Sequence, residues 1–251
     1  MQFGAFNLQD DRVRTVETDV YSPPKNDVQS DRLAGGDGAV IVKRSFDQKI
    51  FSIRGTLKAD TREDLERLIN EFNTAIFQPN QAFDIDYAGM VRRFVATAQN
   101  VIITTRGFTT AGFSVEFVCP SGVGSDTFNT VMLNATAVTT ATASLAVNVG
   151  GTYKAEPTIR MTVNAVTGGA TKRVAITNGS TQRGVSIVRT WAVGDVLEID
   201  SLNKTIYVNN APVDYIGQFP VWPAGAGVIG YVDEFTTREV TLNGFYVRRY
   251  L

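Results

Sequence analysis

The chain has 251 residues, 43% of them apolar and 20% charged, with a formal net charge of −1 and no histidine. These are the proportions of a folded globular protein, one large β domain or two of ordinary size, and near-neutrality excludes a global field that would draw it to nucleic acid or an acidic membrane. Without an imidazole, Ser-His-Asp and Cys-His nucleophiles, His-based zinc sites and facial-triad iron sites are excluded, and the lone Cys119 can form neither an intrachain disulfide nor a thiolate zinc site.

The N-terminus (MQFGAF) lacks a basic region followed by an apolar run, so no secretory signal is expected. No apolar stretch approaches the ~20 residues of a membrane helix, so no membrane insertion is expected. Residues 22–38 (SPPKNDVQSDRLAGGDG) fit neither strand nor helix. A long exposed loop of this kind is either mobile or engaged with a neighbour, and Pro23, Lys25, Asp31, Arg32 and Asp37 are candidate subunit contacts. Residues 39–46 and 50–57 read as two strands joined by a hairpin-length loop, Asp47-Gln48-Lys49.

A helix follows at about 61–77. Asp60 or Thr61 can cap it, with Glu63 or Asp64 as the acidic partner of a capping box. Leu65, Leu68, Ile69, Phe72 and Ile76 fall within an arc of about 100°, Glu63 and Arg67 form a favourable i,i+4 pair, and Pro79 stops the helix. Strands are expected at 82–87 and 90–97 around Ala88-Gly89, then near 100–105 and 111–118. The first half is therefore an antiparallel sheet with a helix on one face.

Residues 120–125 (PSGVGS) are the linker candidate, dividing a domain of residues 1–119 from one of 126–251. Beyond it, short strands alternate with turn signals every eight to twelve residues, the pattern of a β-sandwich. Asn134, Asn178 and Asn203 match glycan acceptor sites but read as turn residues.

Each candidate chemical group has a plainer reading. Asp84 and Asp86 share a strand face at ~7 Å, a spacing used by glycoside hydrolases, but they are also the solvated side opposite Phe83, Ile85 and Tyr87. Asp195, Glu198 and Asp200 suggest an oxygen-ligand calcium site, yet their spacing matches no calcium loop. Gly225–Gly230 (GAGVIG) matches the dinucleotide fingerprint without the following helix, and reads as a tight turn between strands. Trp191 and Trp222 are candidate carbohydrate contacts, through stacking on a sugar face, or else core packing. Cys119 ends a strand and reads as a buried, inert thiol. Neither a cofactor nor a metal is implied.

Taken in order, these segments resemble the distal tail protein family of long-tailed, non-contractile phages. The first half carries Phe6-Asn7, the run Phe51 to Ala59 (FSIRGTLKA), Leu65-x-x-Leu68-Ile69 and Phe83 to Arg92 (FDIDYAGMVR). The second half carries Asn178 to Thr181 (NGST), Gly194 to Asp200 (GDVLEID), Val208-Asn209-Asn210, Gly217 to Pro220 (GQFP), Pro223-Ala224-Gly225 and the closing Tyr246 to Leu251 (YVRRYL). The resemblance implies a mostly β protein with a tail-tube-like N-terminal domain and a galectin-like C-terminal sandwich. It implies a structural, non-enzymatic role: a hexameric ring joining the tail tube to the tail tip or baseplate, with a channel for DNA. Implied partners are other copies of the chain, the tail-tube protein, the tail-tip or hub protein and the tape-measure protein. The implied location is the distal end of the tail in the virion, after assembly in the host cytoplasm. The alternative is a carbohydrate-binding adsorption module for a host-surface glycan. Histidine is prominent in galectin sugar sites, so its absence weighs against that alternative.

Overall fold

The computed structural model describes residues 1–32, 37–105 and 107–251. The chain divides into two compact units, one of Met1–Thr127 with Leu251 and one of Phe128–Tyr250. Each has its own apolar core, and the described residues make a mostly β protein with one helix.

In the first unit the strands are β1 (Gln2–Phe3), β2 (Phe6–Asn7), β3 (Val13–Thr18), β4 (Asn26–Arg32), β5 (Ala39–Phe46) and β6 (Lys49–Lys58). After the helix α1 (Arg62–Ile76) come β7 (Gln81–Tyr87), β8 (Met90–Thr105), β9 (Thr110–Cys119) and β10 (Gly124–Ser125). One antiparallel sheet runs β2-β1-β7-β8-β9-β6-β3 and curls into a near-barrel. Strict alternation builds its inner face: Ala111, Phe113, Val115, Phe117 and Cys119 on β9 are all buried, as the two-residue period of a half-buried strand requires. The rings pack densely, with Phe83 stacked on Phe117 at 4.7 Å and Phe51 edge-on to Phe94 at 4.8 Å between centroids.

The helix closes this core by laying Leu65, Leu68, Phe72 and Ile76 on it, and Phe72 meets Phe113 at 4.9 Å. Thr61 caps the helix by accepting from the Asp64 N–H at 3.1 Å, and Glu63 and Asp64 place negative charge at the positive end of the dipole. Arg67 pairs with Asp64 at 2.6 Å rather than with the expected Glu63, because the shorter i,i+3 reach falls on the carboxylate that the cap already orients.

Two sequence expectations need correction here. The strands expected at 90–97 and 100–105 are one sixteen-residue strand, β8. Asn100 takes a left-handed backbone (φ 52°) where the register with β9 shifts between Gln99 and Ile102, a bulge that bends the strand without ending it. The stretch thought to be loop, 22–38, contains β4, and β5 pairs with β4 rather than with β6. Residues 33–36 of that stretch lie outside the described residues. Part of 120–125 is itself paired, Ser125 lying opposite Arg93 of β8.

The second unit contains β11 (Thr130–Val138), β12 (Thr142–Val149), β13 (Thr158–Thr167), β14 (Lys172–Asn178), β15 (Gly184–Arg189) and β16 (Val196–Asp200). It continues with β17 (Thr205–Val208), β18 (Ala211–Pro212), β19 (Ile216–Gly217), β20 (Gly225–Asp233) and β21 (Thr237–Tyr246). These form a sandwich of a six-stranded sheet, β11-β21-β13-β16-β17-β18, and a five-stranded sheet, β12-β20-β14-β15-β19. Ile159, Met161, Val163, Leu197, Ile199 and Leu242 of the first sheet face Val174, Ile176, Val185, Ile187 and Ile229 of the second.

The glycines of 225–230 form no turn, contrary to the sequence expectation; they lie within β20. A Cβ on Gly227 would meet Trp222 Cδ1 at 2.9 Å, and one on Gly230 would meet Thr177 Oγ1 at 2.5 Å. Their missing side chains make room for neighbours, not for a phosphate.

Candidate assembly interface

The feature of the first unit that its own core does not use is the β4–β5 hairpin, a two-stranded sheet separate from the near-barrel. Its register pairs Asn26 with Phe46 and Arg32 with Ala39, with one shift between Gln29 and Ser30. Every β4 residue is exposed, and on β5 Val40, Ile41 and Val42 are 50–63% exposed. A two-stranded ribbon is marginal on its own in water, and a run of bare β-branched residues on it makes it the candidate contact surface of this unit. Lys25, Asp27, Asp31, Arg32, Asp37 and Lys43 intersperse both signs of charge through the hairpin and its flanks, all of them exposed.

The root of this arm is fixed as firmly as its strands are bare. Pro23 and Pro24 lead into it, and the Asp47 N–H donates to the Lys25 carbonyl at 2.8 Å to close its base. Gly122 packs beneath at φ 62°, where a Cβ would fall 2.6 Å from the Asp47 carbonyl oxygen. Just upstream, the Val20 carbonyl accepts from Tyr87 Oη at 2.6 Å and from Lys49 Nζ at 3.2 Å.

Lys49 is only 6% exposed, its ammonium 4.5 Å from the Phe51 ring centroid and 5.4 Å from that of Phe94. Burial lowers its pKa, with Asp19 opposing the shift. Burial likewise pushes the Tyr87 phenol up to about 12, against the pull of the Arg92 guanidinium lying 4.5 Å over its ring. Sequence reasoning placed Lys49 in a turn and missed this clamp. The available signal was the two-residue period Lys49, Phe51, Ile53.

The candidate chemical residues are each engaged structurally. Asp84 forms a two-pronged pair with Arg93, both bonds 2.7 Å, and Asp86 accepts the Gly89 N–H at 2.6 Å in the β7–β8 turn. Asp195 accepts from the Ala192 N–H at 2.9 Å and from Asn209 Nδ2 at 2.7 Å. Glu198 pairs with Arg160 at 2.6 Å, and Asp200 accepts the Leu202 and Asn203 N–H groups. Among the described residues no three carboxylate or thiol side chains converge as a metal site.

Trp191 is 3% exposed and Trp222 fully buried, each indole N–H donating to a backbone carbonyl at 3.0 Å. Neither ring offers a face to a sugar. Asn178, a motif residue, is buried: its Oδ1 accepts the Ser180 and Thr181 N–H groups while its Nδ2 donates to the Val221 carbonyl. It ties the turn after β14 to the segment carrying Trp222. A second engagement that the sequence did not announce is the buried Asp233, held by Tyr231, Arg238 and the Phe235 N–H.

Comparison with known proteins gives this architecture its class. The phage tail protein RIFT-related domain matches residues 6–119, and the siphovirus-type tail component, C-terminal domain, matches residues 150–220. These two domains make the chain a structural component of a siphovirus-type phage tail, and not an enzyme.

Its fold is that of the Dit protein (gp 19.1) of phage SPP1, a hub adsorption apparatus protein of phages infecting Gram-positive bacteria. The two align with a TM-score of 0.67 at 18% identity over 96% of this chain and 95% of that one. A chain of the phage P2 baseplate in its activated conformation with Ca matches more loosely, with a TM-score of 0.43 at 10% identity over 96% and 92% of the two chains. No curated protein sequence matches significantly. The two family domains in their order, on this fold, place the chain in the siphovirus distal tail protein family, of the SPP1 Dit type.

Proposed function

We propose that the chain assembles as a homohexameric ring at the distal end of the tail, joining the tail tube to the tip or baseplate around a channel for DNA. The observation that carries this reading is the β4–β5 arm. Residues 1–119 act as the ring-forming domain, and the arm reaches a neighbouring copy through Val40, Ile41 and Val42. Lys25, Asp31, Arg32 and Asp37 set its register by charge, and Pro23 sets its direction. Burying those three side chains against a neighbour removes apolar area worth about 25 cal/mol per Å² from water, and head-to-tail contacts close a ring when the rotation between copies divides a full turn. A formal charge of −1 suits a lumen that must let DNA slide without gripping phosphate. The tail-tube protein, a tail-tip or hub protein and the tape-measure protein are the implied neighbours, and assembly takes place in the host cytoplasm.

Light scattering and native mass spectrometry test the reading. A hexamer whose mass falls on Ile41→Asp supports it, and a wild-type monomer at all concentrations overturns it.

A further inference from the structure

The six-stranded sheet of the second unit turns one face to the core and the other to solvent. Directly opposite residues of neighbouring strands share a face, so the register lays out the outer one row by row. One row crosses five strands as Val131, Phe245, Thr158, Asp200 and Thr205. The next crosses four as Asn243, Arg160, Glu198 and Tyr207.

Most of this face is what a solvated sheet carries: hydroxyls, an amide and an ion pair, Arg160 to Glu198 at 2.6 Å. Phe245 departs from it. Its ring is 37% exposed, beside Val131 and Leu202, each 54% exposed, and the three make an apolar patch in polar surroundings. A cavity of about 210 Å³ opens beside the ring, lined also by Thr158, Asp200, Leu202, Glu156 and Arg249. All of these residues belong to the second unit.

The polar groups of the cavity are braced by one another. Glu156, its side chain 15% exposed, accepts from Arg249 at 2.6 Å and from Lys204 at 3.4 Å. The Arg249 guanidinium lies 5.1 Å from the Tyr153 ring centroid, and Glu156 takes one of its several donors. Asp200 Oδ1 accepts the Leu202 and Asn203 N–H groups, and Oδ2 accepts the Asn203 amide at 2.7 Å. A carboxylate has about four lone-pair sites, so Oδ2 retains acceptor capacity. Two carboxylates, Glu156 and Asp200, balance two cations, Arg249 and Lys204, so the cavity favours neither an anion nor a cation.

What this set matches is a neutral molecule with an apolar face and a rim of groups that both donate and accept. A pyranose ring has that form: its C–H groups make one face apolar, and its hydroxyls ring the edge. We propose that the cavity binds one pyranose ring of a neutral saccharide, stacked on Phe245 with its hydroxyls shared among Asp200, Thr158 and Arg249. The volume admits a single ring, and the rest of a glycan runs out over the sheet toward Arg160, Glu198 and Tyr207. The site uses carboxylate, guanidinium and hydroxyl in a chain without histidine, and neither of the buried tryptophans takes part. It is independent of the ring reading, since it lies within one copy of the second unit.

Saturation-transfer NMR on the full chain tests it. Methyl glycosides of glucose, galactose and N-acetylglucosamine are the neutral probes, and methyl glucuronide and glycerol phosphate the charged ones. The expected result is transfer to the C–H face of at least one neutral glycoside. Its affinity falls about tenfold in Phe245→Ala and severalfold in Thr158→Val, which removes a hydroxyl at nearly constant shape. Phe245→Tyr keeps it. Fluorescence of Trp191 and Trp222, both in this unit, checks that each variant is folded. Absence of transfer to every neutral glycoside overturns the inference, as does transfer confined to the charged probes. So does an affinity unchanged in whichever of Phe245→Ala and Thr158→Val folds.

Discussion

Asp233→Ala is expected to be among the most damaging single substitutions in the second unit. The carboxylate is fully shielded from solvent and the Arg238 side chain is 12% exposed, at 3.0 Å. Oδ2 accepts from Tyr231 Oη at 2.8 Å, and Oδ1 accepts from the Phe235 N–H at 2.7 Å and from Arg238. Truncation leaves a buried phenol, a buried amide and a nearly buried guanidinium without their acceptor. Breaking one side of a buried pair costs about 3–5 kcal/mol, a large share of the 5–15 kcal/mol typical of a domain. With a urea m-value of about 2 kcal/mol/M, the midpoint falls by roughly 2 M. Trp191 and Trp222 both belong to this unit, so tryptophan fluorescence reads its unfolding alone. A double-mutant cycle with Arg238→Ala is expected to show more than about 1 kcal/mol of coupling. A midpoint shift under 0.5 M, or additive single effects, would refute the reasoning.

Three further outcomes are expected. Trp222→Ala, which empties the site beneath Gly227, costs about 3–5 kcal/mol by the same assay, and it acts through the core rather than through any sugar affinity. Thr61→Ala removes the helix cap and lowers the stability of the first unit by about 1 kcal/mol, read from the circular dichroism melt. Tyr87 holds its proton more tightly folded than unfolded, so its contribution is full below pH 10 and is lost as pH rises toward about 12. Lys49, whose pKa is lowered, shifts the opposite way and gains stability as pH rises toward 10.5. Within the first unit the loss above pH 10.5 therefore belongs to Tyr87, and Tyr87→Phe lessens it in urea titrations followed by circular dichroism from pH 9 to 12. Burial also raises the pKa of Tyr231, which gives the second unit a loss of its own.

What the sequence showed plainly was whatever a single periodicity decides. Alternation marked β6, β7 and β9, and a cap, an apolar arc and a proline marked the helix. What it hid was decided by contacts distant in sequence. β5 is exposed along most of its length, so no buried side selects its partner, and its pairing with β4 was invisible. The bend in β8 depends on one left-handed asparagine, which local patterning reads as an end. Trp191 and Trp222 could equally have been surface or core, since burial of a tryptophan near a turn is settled by the sheets that close over it. The family resemblance came from the order of many weak marks, and several of those marks prove to be scaffolding. Asn178 anchors a turn to the Trp222 segment, Asp195 braces the approach to β16, and Gly225 opens β20 at φ 105°.

The arm's fastening has an evolutionary corollary. Its direction is set by Val20, Lys49, Tyr87 and the closing bond at Asp47, all at the root, whereas Val28, Val40, Ile41 and Val42 contribute little to the folded core. Mutations on the ribbon are thus nearly silent for folding and are felt only by whatever the ribbon touches. On the proposed ring reading, drift along the arm retunes which chains fit together while the near-barrel behind it stays the same.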